Sequence, residues 1–337
     1  MKLNKNIKIF INYFFGPLLF VWLSYSIYKE IKNQPDLQVK WMQIRESLNG
    51  PMVWYLAAVI FFMLVNWGIE AVKWKIAVQK VQNVNFIKAF KGVLSGVSFS
   101  VTTPNGVGEY FGRIFYMDEG NRLKAISITI VCSISQLIIT MLIGLIGLLI
   151  LLPEIEASGM IASPWTNVIC YGVLAALVIL LFFYFRLSWL VKLLERLPGS
   201  KRYIYLVKAL EEFNTSLLLK LLSLSALRFT VFMVQYYLMF RLFNVDVSWW
   251  QGFWVVSVSF LVMAAIPTIA LIELAQRGKV VTILVGLFST NVLGIGLATA
   301  CIWVINLIVP AIAGSLLILS IKRIFRNKNG NEGEVNS

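Results

Sequence analysis

Histidine is absent from this chain of 337 residues, and its absence removes several classes of function. Ser-His-Asp triads, histidine-ligated metal sites and the commonest general base of enzymes all need an imidazole. Charged residues are also scarce, since they make up 14% of the chain against roughly 25% in an average soluble domain. We therefore do not expect a soluble hydrolase or a histidine-dependent metalloenzyme.

Cysteine is nearly as rare, with three residues in the whole chain: Cys132, Cys170 and Cys301. All three lie in apolar runs without the spacing of a metal or redox motif, and we interpret them as small core residues. The chain also has no paired aspartates of a metal-dependent transferase and no nucleotide-binding motif. The sequence therefore predicts no metal site, no cofactor and no catalytic residue.

Hydrophobic residues, by contrast, make up 59% of the chain. Apolar runs of about 20 residues recur along it, which is the length a helix needs to cross a hydrocarbon core of about 30 Å. The pattern predicts an all-α polytopic membrane protein with about 7–8 transmembrane helices. The predicted apolar segments are 9–28, 51–72, 86–101, 125–152, 165–185, 217–243, 249–266 and two closely spaced spans between 280 and 321.

The formal net charge of +14 does not indicate a nucleic-acid partner in a chain of this kind. Basic residues flank membrane helices on the cytoplasmic side, where they meet anionic lipid. The N-terminus carries Lys2, Lys5 and Lys8, whereas the 153–164 loop has two glutamates and no basic residue. We expect a bacterial cytoplasmic (inner) membrane protein with a retained first helix, a cytoplasmic N-terminus and the 153–164 loop outside.

A polar, glycine-rich elbow, TTPNGVGEYFGR (102–113), interrupts the apolar pattern. The segment before it, 86–101, would be about 24 Å long as a helix, which is marginal for a full crossing. Proline ends such a helix, Asn-Gly supplies a turn that tolerates positive φ, and a second helix can then begin. This pattern predicts a broken or re-entrant helical hairpin. The residues assigned to the break are Pro104, Asn105, Gly106 and Gly108.

The elbow has a weaker copy in the second half of the chain, with a proline break at Pro267. Internal repeats with discontinuous helices are the usual construction of secondary transporters, so we predict an inverted internal repeat. The stretches that align at an offset of 161 residues are 83–84 with 244–245 and 97–99 with 258–260, and a three-residue insertion then aligns 109–113 with 273–277.

The repeat predicts four parts of the chain. Residues 1–186 form a first transmembrane half with the Pro104 elbow, and 187–216 form an interfacial amphipathic linker. Residues 217–322 form a second transmembrane half with the Pro267 elbow. The polar stretch 323–337 is predicted to be a disordered tail of cytoplasmic type.

Charged residues inside apolar segments are functional candidates by default. Glu109 and Arg113 lie four residues apart, and Glu273 and Arg277 repeat that spacing. Each pair either satisfies itself on one helix face or binds a ligand, and the sequence leaves both interpretations open. Arg228 also has two: it marks the start of its helix and snorkels to the interface, or it faces an internal cavity that suits a phosphate.

Other polar residues in the apolar segments have structural interpretations. Glu70 and Lys73 are predicted to form a pair at the membrane interface, where they close the second span. Asn66, Gln136 and Gln235 are interpreted as hydrogen-bonding contacts between helices.

Three stretches resemble the flippase-like family, which comprises the transmembrane region of bacterial lysylphosphatidylglycerol synthases and its free-standing relatives. They are SFSVTTPNGVGEYFGR (98–113), SFLVMAAIPTIALIELAQR (259–277) and NVDVSWWQGF (244–253). The resemblance spans roughly 10–322, and the first elbow, Pro-x-Gly-x-Gly-Glu followed by Arg, is its more specific part. The second elbow departs from the family pattern of Pro-Gly-Gly-x-Gly before Glu, because this chain has Pro-Thr-Ile-Ala-Leu-Ile-Glu there. We expect that elbow to be less flexible.

The resemblance implies a lipid translocase that moves an anionic or aminoacylated phospholipid, or a polyprenyl-linked lipid, across the membrane. We expect it to lack the synthase domain of its relatives and to work passively or with a coupled ion. Its expected partner is a membrane lipid rather than nucleic acid, and a homo-oligomer or a separate lipid-modifying enzyme stays open. The predicted headgroup-binding residues are Glu109, Arg113, Arg228, Glu273 and Arg277.

Two alternatives remain open from the residues themselves. One is a membrane enzyme acting on a lipid-linked substrate, with Glu109 or Glu273 as base. The other is an assembly subunit of a lipid or cell-envelope pathway, without transport of its own.

Overall fold

The structure is a computed structural model that describes residues 37–101, 106–159, 163–187, 208–266 and 270–319, with a few isolated positions between and before these stretches. Several predictions fall outside the described residues. These are nearly all of the first span, most of the linker, the tail, and the residues Pro104, Asn105 and Pro267.

Every regular element in the described residues is a helix. We number the α-helices in chain order. They are α1 (Leu37–Asn49), α2 (Val53–Val78), α3 (Phe86–Val101), α4 (Gly108–Ile114), α5 (Arg122–Ile150), α6 (Leu152–Ala157), α7 (Ser163–Phe185), α8 (Thr215–Leu242), α9 (Trp249–Ala265), α10 (Ala270–Val285) and α11 (Val292–Leu319), the last with a π-helical turn at Val304–Ile308.

Five of these helices, α2, α5, α7, α8 and α11, are long and apolar enough to cross a membrane. Their outer faces expose large apolar side chains such as Phe61, Leu149 and Leu316, which a bilayer would solvate. A helix satisfies its own backbone groups, so it is stable in lipid where an open sheet would not be. The predicted all-α polytopic membrane fold is therefore confirmed.

Long helices from the two predicted halves of the chain pack on each other. Helix α2 packs most extensively on α8, and an offset of 161 residues places Val53–Val78 over nearly the whole of Thr215–Leu242. Helix α5 packs on α9 at Gly144 and Gly147, where a Cβ would press on Leu261 and on the Trp254 carbonyl. Small residues of this kind let membrane helices approach closely.

The first elbow is a tight helical hairpin. Helix α4 runs back antiparallel along α3, so that Gly108 lies against Phe99 and Gly112 lies against Gly96. A Cβ at Gly112 would overlap the Gly96 backbone. The turn has Gly106 at φ +66°, the positive φ that the sequence predicts. Whether this hairpin re-enters the membrane stays a prediction.

At the second elbow α10 packs on α9, and the sequence-based boundaries need one correction. Two spans were predicted between 280 and 321, but this region holds the end of α10 and one long helix, α11. The start of α10 at Ala270 was not predicted, because polar residues at 273–277 interrupt the apolar pattern there. The predicted bounds of α3 agree with the structure at both ends.

Candidate functional site

A buried carboxylate, Glu70 of α2, joins three cationic side chains. Its Oε2 lies 2.7 Å from Lys73 Nζ and 2.9 Å from Arg228 Nη1, and its Oε1 lies 2.9 Å from Arg113 Nη2. Glu70 and Lys73 form the predicted pair, but the pair does not close the helix, because α2 continues to Val78 and both side chains are buried in the protein. Through these ion pairs Glu70 connects α2 with α4 and α8.

Lys73 extends this network toward α5. Its Nζ donates to the Cys132 carbonyl oxygen and to Ser225 Oγ, each at 3.3 Å, and Ser225 Oγ lies 2.9 Å from Ser135 Oγ. An ammonium buried in this way is stable only because a carboxylate and neutral acceptors surround it. The lysine is a structural member of the charged cluster.

Arg113, on the first elbow, is held between two carboxylates. Its side chain is 1% exposed, and Nη2 donates to both Glu70 and Glu109. Its guanidinium lies 5.9 Å from the centroid of the Trp74 ring. Within the described residues, its Nε and Nη1 have no hydrogen-bond partner. Arg113 therefore binds Glu70 in addition to Glu109, and the four-residue spacing of Glu109 and Arg113 did not predict this second contact.

Arg228 lies at the middle of α8 rather than at a helix start, so it does not snorkel to a helix end. Its Nε donates to Asn66 Oδ1 at 2.7 Å while Nη1 binds Glu70, and its guanidinium stacks 4.9 Å from the centroid of the Trp67 ring. The side chain remains 14% exposed, and that part faces a cavity. Three partners therefore fix the guanidinium on the wall of this cavity.

That cavity has a volume of about 580 Å³ and lies between the two elbows. Arg228 of α8 and Gln136, the central residue of α5, both line it, so it sits halfway along two membrane-length helices. Gln136 Oε1 has no hydrogen-bond partner in the described residues. The polar side chains on the cavity wall are Ser100, Thr103, Gln136, Thr140, Arg228, Glu273 and Arg277.

The second elbow contributes its charged pair directly to this wall. Arg277 Nη2 bonds to Glu273 Oε1, and the Arg277 side chain is 16% exposed. Its guanidinium lies 5.3 Å from the centroid of the Phe260 ring. The structure therefore brings Arg228, Glu273 and Arg277 together on the cavity wall. Glu109 and Arg113 are not part of this wall.

Residues 37–314 match the family model described as Lysylphosphatidylglycerol synthase TM region. The chain belongs to this family. No curated protein matches it. The matched region includes both elbows and all the residues of the charged cluster, so the family resemblance seen in the elbow sequences is confirmed over most of the chain.

In this member of the lysylphosphatidylglycerol synthase transmembrane-region family, Glu70 is the functional candidate that the sequence reasoning missed. The run of charges at Glu70, Lys73 and Lys75 resembles the polar flank of a helix. The signal that could have corrected this is the return of apolar residues at 76–78, directly after Lys75. That return indicates that the helix continues past the charges.

Proposed function

We propose that this protein translocates a phospholipid whose anionic headgroup passes through the cavity between the elbows. The observation that carries the proposal is the position of two arginines, Arg228 and Arg277, on the wall of one cavity that lies halfway along the membrane-length helices α5 and α8. Intramembrane charges are costly and mark substrate pathways. Secondary transporters place their substrate sites near the midplane, between repeats.

The charge balance of the site favours an anion. In the cluster around Glu70, two carboxylates meet the three cations Lys73, Arg113 and Arg228. Glu273 and Arg277 balance each other. The described site therefore has one positive charge in excess. A buried charge without a counterion is unfavourable, and the single negative charge of a phosphodiester would compensate it.

The geometry also suits phosphate chemistry. A guanidinium presents parallel N–H donors that match two phosphate oxygens. Asn66 and Glu70 hold Nε and Nη1 of Arg228, which belong to different edges of its guanidinium, so in the described contacts Nη2 is the donor left for a phosphate oxygen. Glu70 thus acts as a positioning residue, while Thr103, Gln136 and Thr140 supply neutral hydrogen-bonding groups to the rest of a headgroup.

We place the protein in the bacterial cytoplasmic membrane, with its N-terminus in the cytoplasm. In this proposal the headgroup crosses through the polar cavity while the acyl chains stay in apolar surroundings. The two elbows, one from each predicted half of the chain, line the cavity from two sides. Arg228 and Arg277 would contact phosphate, and Glu273 would hold Arg277 or receive an amine of the headgroup. The contribution of Glu109 and Arg113 to headgroup binding stays a prediction.

Reconstitution tests the proposal. Purified protein is placed in vesicles of phosphatidylethanolamine and phosphatidylglycerol that carry fluorescent phosphatidylglycerol, and an impermeant quencher reports the fraction moved between leaflets. We expect faster movement than in protein-free vesicles and a large loss in the Arg277→Gln variant. Equal rates in protein-free, wild-type and variant vesicles would reject the proposal. Fluorescent phosphatidylethanolamine and lysylphosphatidylglycerol in parallel samples rank the headgroups.

A further inference from the structure

A second cavity adjoins the polar one and has the opposite character. Its volume is about 800 Å³, it lies between α5, α7, α9 and α10, and its wall is almost entirely aliphatic. The wall of α7 is open there: a Cβ at Gly172 would meet no atom within 4 Å. The cavity therefore has room for an extended apolar group.

The two cavities share one wall. Ala264, Ala265 and Ile266, at the end of α9 where the second elbow begins, line both of them. Glu273 and Arg277 lie on the polar side of this wall, and Val280 and Leu284 of the same helix, α10, lie on the apolar side. The polar and the apolar cavity therefore lie next to each other along α10.

We propose that the apolar cavity holds a hydrocarbon chain of the same lipid whose phosphate is bound by Arg228 and Arg277. This inference rests on the proposed lipid site. A phospholipid joins a charged phosphate to an aliphatic chain through a short linker, which is the order in which the two chambers occur along α10. A cavity with so few polar partners does not hold ordered water well, but it accepts an apolar ligand.

The shared wall is the reason to assign the chain to the same lipid rather than to a neighbouring one. Two of its three residues are alanines, so little side-chain bulk separates Arg277 from the apolar space. A chain that enters from this wall would be positioned by the phosphate. The phosphate alone, as soluble glycerol phosphate, would lack this second anchor, and we expect it to compete poorly with phosphatidylglycerol.

Photo-crosslinking tests this assignment. The full chain is placed in nanodiscs with phosphatidylglycerol that carries a diazirine in the middle of one acyl chain, and labelled peptides are identified by mass spectrometry. We expect labelling on the cavity face of α7 and at the end of α9. We also expect several-fold lower labelling in the Arg277→Gln variant, because the chain enters only when the phosphate is bound.

Two adjacent alanines of α7 give a matched pair of variants. Ala176 lines the apolar cavity, whereas Ala175 does not, although both are exposed. We expect Ala176→Phe to fill the cavity and lower the labelling of α9 several-fold, and Ala175→Phe to leave it unchanged. Gly172→Phe fills the cavity from another position and replaces Ala176→Phe if that variant does not fold.

The possible results separate this inference from the proposed function. Normal translocation with equal labelling in the Ala175→Phe and Ala176→Phe variants would overturn the chain site and leave the translocase standing. Labelling that depends on Ala176 and Arg277 without translocation would support the chain site and reject the translocase. Equal labelling of α9 in the wild-type protein and the Arg277→Gln variant would show that a bulk lipid occupies the cavity, and it would overturn the inference.

Discussion

The two elbows share a sequence pattern but differ in what surrounds their arginines. Among the described residues, Arg113 of the first elbow binds two carboxylates behind the cavity wall, whereas Arg277 of the second binds one and faces the cavity. The difference arises in the helices that pack beside them: Val231 of α8 aligns with Glu70 of α2 at the repeat offset. Two similar sequence motifs thus place one arginine in a buried ion-pair network and the other on the cavity wall.

The same offset aligns Arg228 with Trp67, and in the structure these two side chains stack on each other. The first half therefore supplies the carboxylate and the aromatic surface, and the second half supplies the cation that faces the cavity. The site depends on both halves together.

The largest expected effect comes from removing the shared anchor. Glu70→Gln leaves Lys73, Arg113 and Arg228 without their common carboxylate, and breaking a buried ion pair costs about 3–5 kcal/mol. We expect low expression and a strongly lowered thermal unfolding midpoint in detergent. Glu119→Gln is the control, because its pair with Arg122 is exposed and such pairs contribute about 0–1 kcal/mol. Equal stability of the two variants would contradict the central role of Glu70.

The next effect falls on activity rather than on stability. Arg277→Gln removes a charged donor from the cavity, and a hydrogen bond to an ion is worth about 1.5–3 kcal/mol. We expect phosphatidylglycerol translocation to fall roughly ten- to a hundredfold with a nearly unchanged unfolding midpoint. Arg241→Gln, on the exposed end of the same half, should keep full activity. A fall in stability as large as that in activity would assign Arg277 a structural role.

A double variant sharpens the contrast at the first elbow. Arg113→Gln alone removes the counterion of Glu109, and Glu109→Gln together with Arg113→Gln removes both charges. If the pair is structural, the double variant should be more stable than Arg113→Gln and should translocate lipid. Folding and the quench assay are measured on the same preparation. A stable but inactive double variant would show that Glu109 and Arg113 contribute to headgroup binding.

The smallest expected effect concerns packing. Gly112→Ala places a Cβ against the Gly96 backbone, and overpacking of this kind costs about 1–3 kcal/mol. Gly172→Ala is the control, since nothing lies within 4 Å of its Cβ position. We expect a lower unfolding midpoint for the first variant only. Equal midpoints would show that the first hairpin adapts to the extra methyl group.

The sequence predicted the local features of this molecule better than its long-range contacts. The bounds of α3 follow from a proline break and a glycine turn, which act on their own neighbours, and Gly106 has the predicted positive φ. The contact between Glu70 and Arg228 joins residues 158 positions apart, and no periodicity in one sequence indicates it. The end of α2 was misplaced because charged residues inside a membrane helix resemble those at its end.

The central claim is that the cavity between the elbows binds the phosphate of a lipid. Native mass spectrometry of the protein released from phosphatidylglycerol-containing detergent micelles tests it most directly, because it counts bound lipids without requiring transport. The account predicts one retained phosphatidylglycerol on the wild-type protein and on Arg241→Gln, and a much lower occupancy on Arg277→Gln. Equal retention by all three proteins would contradict it.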